Sequence, residues 1–282
     1  MRIGFISDLH IDINRHHNFI TLISELAKEK KLDLLVILGD IADGAIYTIK
    51  FYRELKEKLK IPFRTLVGNH DIYVPNTKYY TSDQIKKKSR QFYHDLDSLP
   101  TSLVHHPIIT DNWLITGING WYDYTFAKNF SEKRGPQLAH NWISANMWPD
   151  QKKINGKQIN YNRDKMWVLN QIMAWKKQVI KIKIGKRKLV VASHFLPTKN
   201  LIHILHIPFY DHFLYQLGSE RYRKAFEENK VSISISGHSH MPIKIIKNNI
   251  KYINVSLGYN FQWSEAANAL EELKKTMFIL EG

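Results

Sequence analysis

The sequence predicts an α/β fold organised around a parallel sheet. Three observations carry this: short apolar runs without polar breaks, amphipathic segments of helical period between them, and strict strand–helix alternation over the first hundred residues. Uninterrupted apolar runs suit strands covered on both faces. Repeated strand–helix–strand units imply right-handed crossovers between parallel neighbours.

Arg2 to Ser7 reads as a short buried strand that breaks at Asp8-Leu9-His10. Phe19, Ile20, Leu22, Ile23 and Leu26 then recur at helical spacing, with Glu and Lys on the other face. Asp33 to Leu38 is an apolar strand ending at Gly39-Asp40, and Tyr47 to Leu59 is helical. Phe63 to Val67 ends at Gly68-Asn69-His70-Asp71, and a helix spans roughly Ser82 to Leu99. From Leu103 the texture changes. Leu103 to Ile109 and Trp113 to Thr116 read as strands meeting at the polar turn Asp111-Asn112.

After Gly120 comes a polar, aromatic stretch with Trp121, Tyr122, Tyr124, Trp142 and Trp148 and little periodicity. It is long for a connection inside a compact domain, so residues 120–161 read as a lid or cap inserted into a single domain spanning 1–282. A helix from about Arg163 to Ile184 leads to the strand Leu189 to Ser193, which ends at His194. Val231 to Ser236 ends at Gly237-His238-Ser239-His240. Ile243 to Ile246 and Ile250 to Val255 flank Lys247-Asn248-Asn249 as a hairpin. A helix near Ser264 to Lys275 and a strand from Met277 to Leu280 complete the reading.

Composition narrows the class. A hydrophobic fraction of 44% excludes a disordered chain. No apolar run approaches the ~20 residues that span a bilayer, and the N-terminus carries no cleavable signal pattern, so the expected location is cytoplasmic. With no cysteine, disulfides and thiolate metal sites are excluded, and any metal must sit on nitrogen and oxygen ligands. The formal charge of +15 favours anionic partners. Much of the excess, however, falls on Lys176, Lys177, Lys181, Lys183, Lys186, Arg187 and Lys188, where cations complement a helix C-terminus, so a solvated surface is preferred to a nucleic-acid interface.

The functional signal is positional. Five apolar runs end in Asp8-x-His10, Gly39-Asp40, Gly68-Asn69-His70-Asp71, His194 and Gly237-His238-Ser239-His240. Sites in α/β folds gather at the carboxyl ends of strands, where loops converge. Imidazole, carboxylate and amide oxygen together suit Mn, Fe, Zn or Mg. One Asp carboxylate has two oxygens and so can bridge two cations ~3.5–4 Å apart.

These blocks, in this order, make the chain similar to the calcineurin-like metallophosphoesterases, whose pattern is D-x-H, GD, GNH[D/E], H and GHxH. The resemblance implies a two-sheet β-sandwich flanked by helices, in four α/β/β/α layers. It implies that Asp8, His10, Asp40 and His240 hold one metal and that Asp40, Asn69, His194 and His238 hold a second. A metal-bridging hydroxide would then attack phosphorus, His70 would stabilise the developing charge or protonate the leaving group, and Asp71 would orient the His70 ring. Mn²⁺ is favoured among Mn²⁺, Fe²⁺/Fe³⁺, Zn²⁺ and Mg²⁺.

The substrate expected is a small, nucleotide-like phosphodiester or phosphomonoester. A nuclease and a non-catalytic metal-binding module are the alternatives. Trp121 and Tyr122 either stack on a flat leaving group or anchor the insertion to the core, the latter favoured, and His206 and His212 are candidates for the pocket rim.

Overall fold

A computed structural model describes residues 1–127, 130–140, 147–202, 213–264 and 268–282. In chain order the strands are β1 (Arg2–Ile6), β2 (Leu34–Ile37), β3 (Phe63–Thr65), β4 (Ile108–Ile109), β5 (Trp113–Ile118), β6 (Lys188–Ser193), β7 (Val231–Ser236), β8 (Lys244–Lys247), β9 (Ile250–Asn254) and β10 (Phe278–Glu281). The helices are α1 (Phe19–Glu29), α2 (Ala45–Lys58), α3 (Ser82–Asp97), α4 (Gly135–Ala139), α5 (Pro149–Lys153), α6 (Tyr161–Ile182), α7 (Glu220–Glu228) and α8 (Ala269–Thr276).

The strands form two sheets, one of four in the order β10-β1-β2-β3 and one of six in the order β4-β5-β6-β7-β9-β8. β1, β2 and β3 are parallel, as are β5, β6, β7 and β9, while β4, β8 and β10 run antiparallel at edges. Alternate residues of each strand divide between two cores. Phe5, Val36, Val190, Ile235 and Ile253 meet in one cluster to which both sheets contribute. Ile6, Ile37, Leu189 and Val191 belong to the other, together with Ile23, Leu26, Phe51 and Leu55 of the helices. The central strands are therefore apolar on both faces, because one face packs on the partner sheet and the other under helices, whereas edge strand β8 is mostly exposed.

Local chemistry accounts for several boundaries. Thr81 and Gln84 form a reciprocal capping box that starts α3. Asn248 and Asn249 both have positive φ, 50° and 61°, as the two-residue turn between β8 and β9 requires. The strand expected from Leu103 shrinks to Ile108–Ile109. Leu103 instead packs between the sheets and donates its N–H to Thr65, and Pro107 has no N–H for a ladder. Helix α7 had no counterpart in the sequence reading, and the C-terminal helix starts at Ala269 rather than near Ser264.

Within residues 120–161, Trp121 and Tyr122 are buried, at 1% and 0% exposure, so neither ring is available to stack on a ligand. Trp121 lies 4.4 Å from Trp167 and 4.6 Å from Tyr122, both stacked. Asp164 of α6 accepts hydrogen bonds from Trp121 Nε1 and the Tyr124 hydroxyl. Trp142, His206 and His212 lie outside the described residues. Among the described residues, no helix is long and apolar enough to cross a membrane.

Candidate metal centre

The loops after β1, β2, β3, β6 and β7 converge at one edge of the two sheets. The backbone N–H of His238 donates to both Asp8 oxygens, at 3.1 and 2.9 Å. His194 Nδ1 donates to the Leu38 carbonyl at 2.7 Å, so the ring spans from one sheet to the other. The chain turns sharply here: Asp8, His10, Asp40, His238 and His240 all have positive φ, between 43° and 71°. Such backbone costs about 1–3 kcal/mol per non-glycine residue and persists where its surroundings over-determine it. Gly68 permits the closest approach, since a Cβ there would collide with the Asp40 carboxylate.

All the sequence-predicted ligands come together. His10 Nε2 and His240 Nε2 are 3.0 Å apart, and His240 Nε2 is 3.5 Å from Asp8 Oδ1. His10 Nε2 is also 3.8 Å from Asp40 Oδ2. On the other side of Asp40, its Oδ2 lies 3.4 Å from His194 Nε2, which is 3.1 Å from Asn69 Oδ1. Among the described residues the donors form three overlapping groups, Asp8/His10/His240, His10/Asp40/His70 and Asp40/His194/His238, so His10 and Asp40 link the two outer clusters and His70 lies within ligand reach.

Hydrogen bonds aim the ring nitrogens. A carbonyl oxygen only accepts, so Nδ1 of His194 carries its proton and Nε2 offers a lone pair to the centre. His238 Nε2 is 3.3 Å from the Gln216 carbonyl, which by the same logic frees Nδ1. His240 Nδ1 faces Gln262 Oε1 at 3.0 Å, and that amide is itself oriented by the N–H of Tyr259. Asp40 Oδ2 is buried without a hydrogen-bond donor. Two imidazole nitrogens 3.0 Å apart and an orphaned carboxylate oxygen fit a shared cation better than any direct contact between these groups. Burial opposes a charged His194, yet Asp40 and Asp8 outweigh it and push its pKa up to about 9, so a proton and a cation compete for the same Nε2 lone pair.

His70 stands beside the first cluster, its ring 4.6 Å from His10 and 15% exposed. The expected contact to Asp71 is corrected by the structure. Asp71 accepts from the N–H groups of Asp40, Ile41 and Gly68 and from the Thr48 hydroxyl, so it braces the backbone of two loops and has no capacity left for the ring. The partner of His70 is Asp43, whose Oδ1 lies 2.6 Å from Nδ1. Burial works against the imidazolium, but the Asp40 and Asp43 carboxylates raise its pKa to about 9.

The sequence pattern of the calcineurin-like phosphoesterases matches residues 1–242. The chain belongs to this family. The fold is also seen among solved structures. The phosphopantetheinyl hydrolase of Mycobacterium tuberculosis superposes with a TM-score of 0.65 at 16% identity, covering 95% of this chain and 93% of that one. A dimetal phosphatase from Danio rerio gives 0.51 at 14% identity, covering 90% and 86%. At such identities the likeness is one of fold.

Among sequence relatives of this calcineurin-like chain, a probable cyclic nucleotide phosphodiesterase of Xenorhabdus bovienii is 28% identical over 85 residues, 26% of this chain and 34% of that protein. One from Fibrobacter succinogenes is 33% identical over 107 residues, 34% of this chain and 41% of that protein. The matched stretches thus span less than half of either relative.

Four residues around the centre were missed in the sequence. Asp43 sits three residues after Asp40 in the same loop, a signal that was available. Asp150 follows Trp148-Pro149, a helix start with Pro in the first turn and Asp beside it. It is buried and accepts from Asn69. Tyr259 packs against His10 and His240, at 4.7 and 4.4 Å, and Gln262 binds His240; both follow β9 in a segment without periodicity.

Proposed function

We propose that this calcineurin-like phosphoesterase hydrolyses phosphoester bonds in a small, nucleotide-like substrate with the help of two divalent or trivalent metal ions, manganese being favoured. The arrangement that carries this reading is a pair of donor clusters, Asp8/His10/His240 and Asp40/His194/His238, linked through His10 and Asp40, with a carboxylate-held histidine at their open side. Asp8, His10, Asp40 and His240 would hold one ion and Asp40, Asn69, His194 and His238 the other. Bound there, two cations would polarise a phosphoryl oxygen and acidify a water.

The protein's own part is orientation and proton supply. Asp43 holds His70 by one ring nitrogen and favours its protonated form, so the other nitrogen is free to donate a proton to a leaving oxygen. Tyr259 and Phe261 pack together at 5.2 Å, and Phe261 is 74% exposed beside the His10/His240 cluster. Such a surface suits a flat leaving group, in keeping with the cyclic nucleotide phosphodiesterase names of the partial relatives. The basic run reaching Lys188 lies at the start of β6, whereas His194 follows its end, roughly 20 Å away for six extended residues. That separation supports a small substrate over nucleic acid.

Hydrolysis of an aryl phosphodiester and an aryl phosphomonoester, each with Mn²⁺ and with chelator, tests the proposal. Chelator-sensitive turnover is expected, the diester being the faster. Turnover that survives metal removal would overturn it.

A further inference from the structure

Helix α5 of the insertion touches the Asn69–Val74 segment at two points. Asp150 is fully buried, and its Oδ1 accepts from Asn69 Nδ2 at 3.0 Å and from the Tyr73 hydroxyl at 2.6 Å. Its other oxygen accepts from Trp148 Nε1 at 2.8 Å. Three residues on, Lys153 pairs with Asp43, lies 4.6 Å above the Tyr73 ring and accepts the Val74 N–H on its carbonyl at 3.0 Å. The helix is thereby held against the turn that carries Asn69 and His70.

The chemical consequence lies in the Asn69 amide. An amide has one oxygen and one nitrogen on nearly superimposable positions, and only the oxygen can hold a cation. A flipped amide would present N–H groups to the centre. Asp150 accepts hydrogen bonds and so captures the NH₂ side, leaving Oδ1 towards His194 Nε2 at 3.1 Å. Asp150 itself is absent from the converging donor groups among the described residues, so its place is behind a ligand.

We infer that Asp150 is a positioning residue that fixes the Asn69 amide with its oxygen facing the cation site, which makes the insertion a structural part of the centre rather than a cover over it. This rests on the two-metal reading above. Outer partners of metal ligands typically contribute about 10–100-fold in affinity.

The test is Mn²⁺ binding to the full chain after chelation, followed by the electron paramagnetic resonance of free Mn²⁺ and independent of turnover. The wild type should bind two ions. Asp150→Ala should weaken one of them by about 10–100-fold and leave the other within about threefold. Asp150→Asn keeps an acceptor oxygen for Asn69 and Tyr73 but turns its NH₂ towards the Trp148 indole N–H, so it is combined with Trp148→Phe, and in that double variant both affinities should stay within about threefold of wild type.

The decisive comparison uses Asn69→Asp, whose two equivalent oxygens leave no amide to orient. In that background Asp150→Ala should cause no further loss, and removal of the like charge should restore affinity. Equal losses from Asp150→Ala in both backgrounds would reduce Asp150 to general packing and overturn the inference. A tenfold loss in Asp150→Asn combined with Trp148→Phe, or none in Asp150→Ala, would overturn it as well. A wild type that binds fewer than two ions would instead sink the two-metal reading on which it rests.

Discussion

The two halves of the centre share Asp40 but are built differently. The half with Asn69, His194 and His238 is closed: His194 is tied to the Leu38 carbonyl, His238 to the Gln216 carbonyl and Asn69 to Asp150. The half with Asp8, His10 and His240 opens outward. Asp8 and His10 are buried, but His240 is 12% exposed and its fixing partner Gln262 lies in a surface segment. The closed half reads as a preorganised socket and the open half as the side that meets substrate.

The largest effect should come from the group the halves share. Asp40→Asn should weaken both ions together and lower kcat by at least ~10³-fold, because both clusters lose a charge. Metal analysis that still finds two tightly held ions would break the picture of a shared ligand. His70→Ala comes next: on the proposed reading, in which His70 is held by Asp43 and would donate a proton, kcat should fall by about 10²–10⁴-fold while both ions stay bound. Parallel loss of metal and activity would make His70 a ligand instead.

The stability contrast is smaller. In metal-free protein, His194→Ala should cost about 1–3 kcal/mol by stranding the buried Leu38 carbonyl. His240→Ala should stay within about 0.5 kcal/mol. Chemical denaturation giving equal values would erase the distinction between socket and open side. Smallest of all, Phe261→Ala should raise KM for an aryl ester by about 2–10-fold and leave that for a small alkyl ester unchanged. Equal shifts for both esters would remove the aromatic surface from substrate binding.

Much of the candidate centre was legible because its proposed ligands are short polar breaks immediately after apolar runs: Asp8, Asp40, Asn69, His194 and His238 each directly follow or nearly follow a strand. The supporting residues were not. Asp43 meets His70 across 27 residues and Asp150 meets Asn69 across 81, and no local pattern encodes pairings at such separations. The role expected of Asp71 failed for the same reason. Adjacency to His70 in sequence placed it on a tight turn where its carboxylate faces backbone N–H groups and not the ring.

The amino-acid sequence by itself determined the strands, most of the helices and the identity of the metal-seeking side chains, because apolar run length, helical period and residue chemistry are local properties. It also excluded thiolate ligation outright. The two-sheet packing was expected only from the family resemblance and not from the runs themselves, since a continuous apolar run is the same whether a helix or a sheet covers it; the tertiary structure shows the central strands packed on another sheet. The structure likewise chose the partner of His70, buried Trp121 and Tyr122, and brought Asp150 to Asn69. Those outcomes depend on which distant backbone donors and acceptors fall within 3 Å of one another once the two sheets are packed.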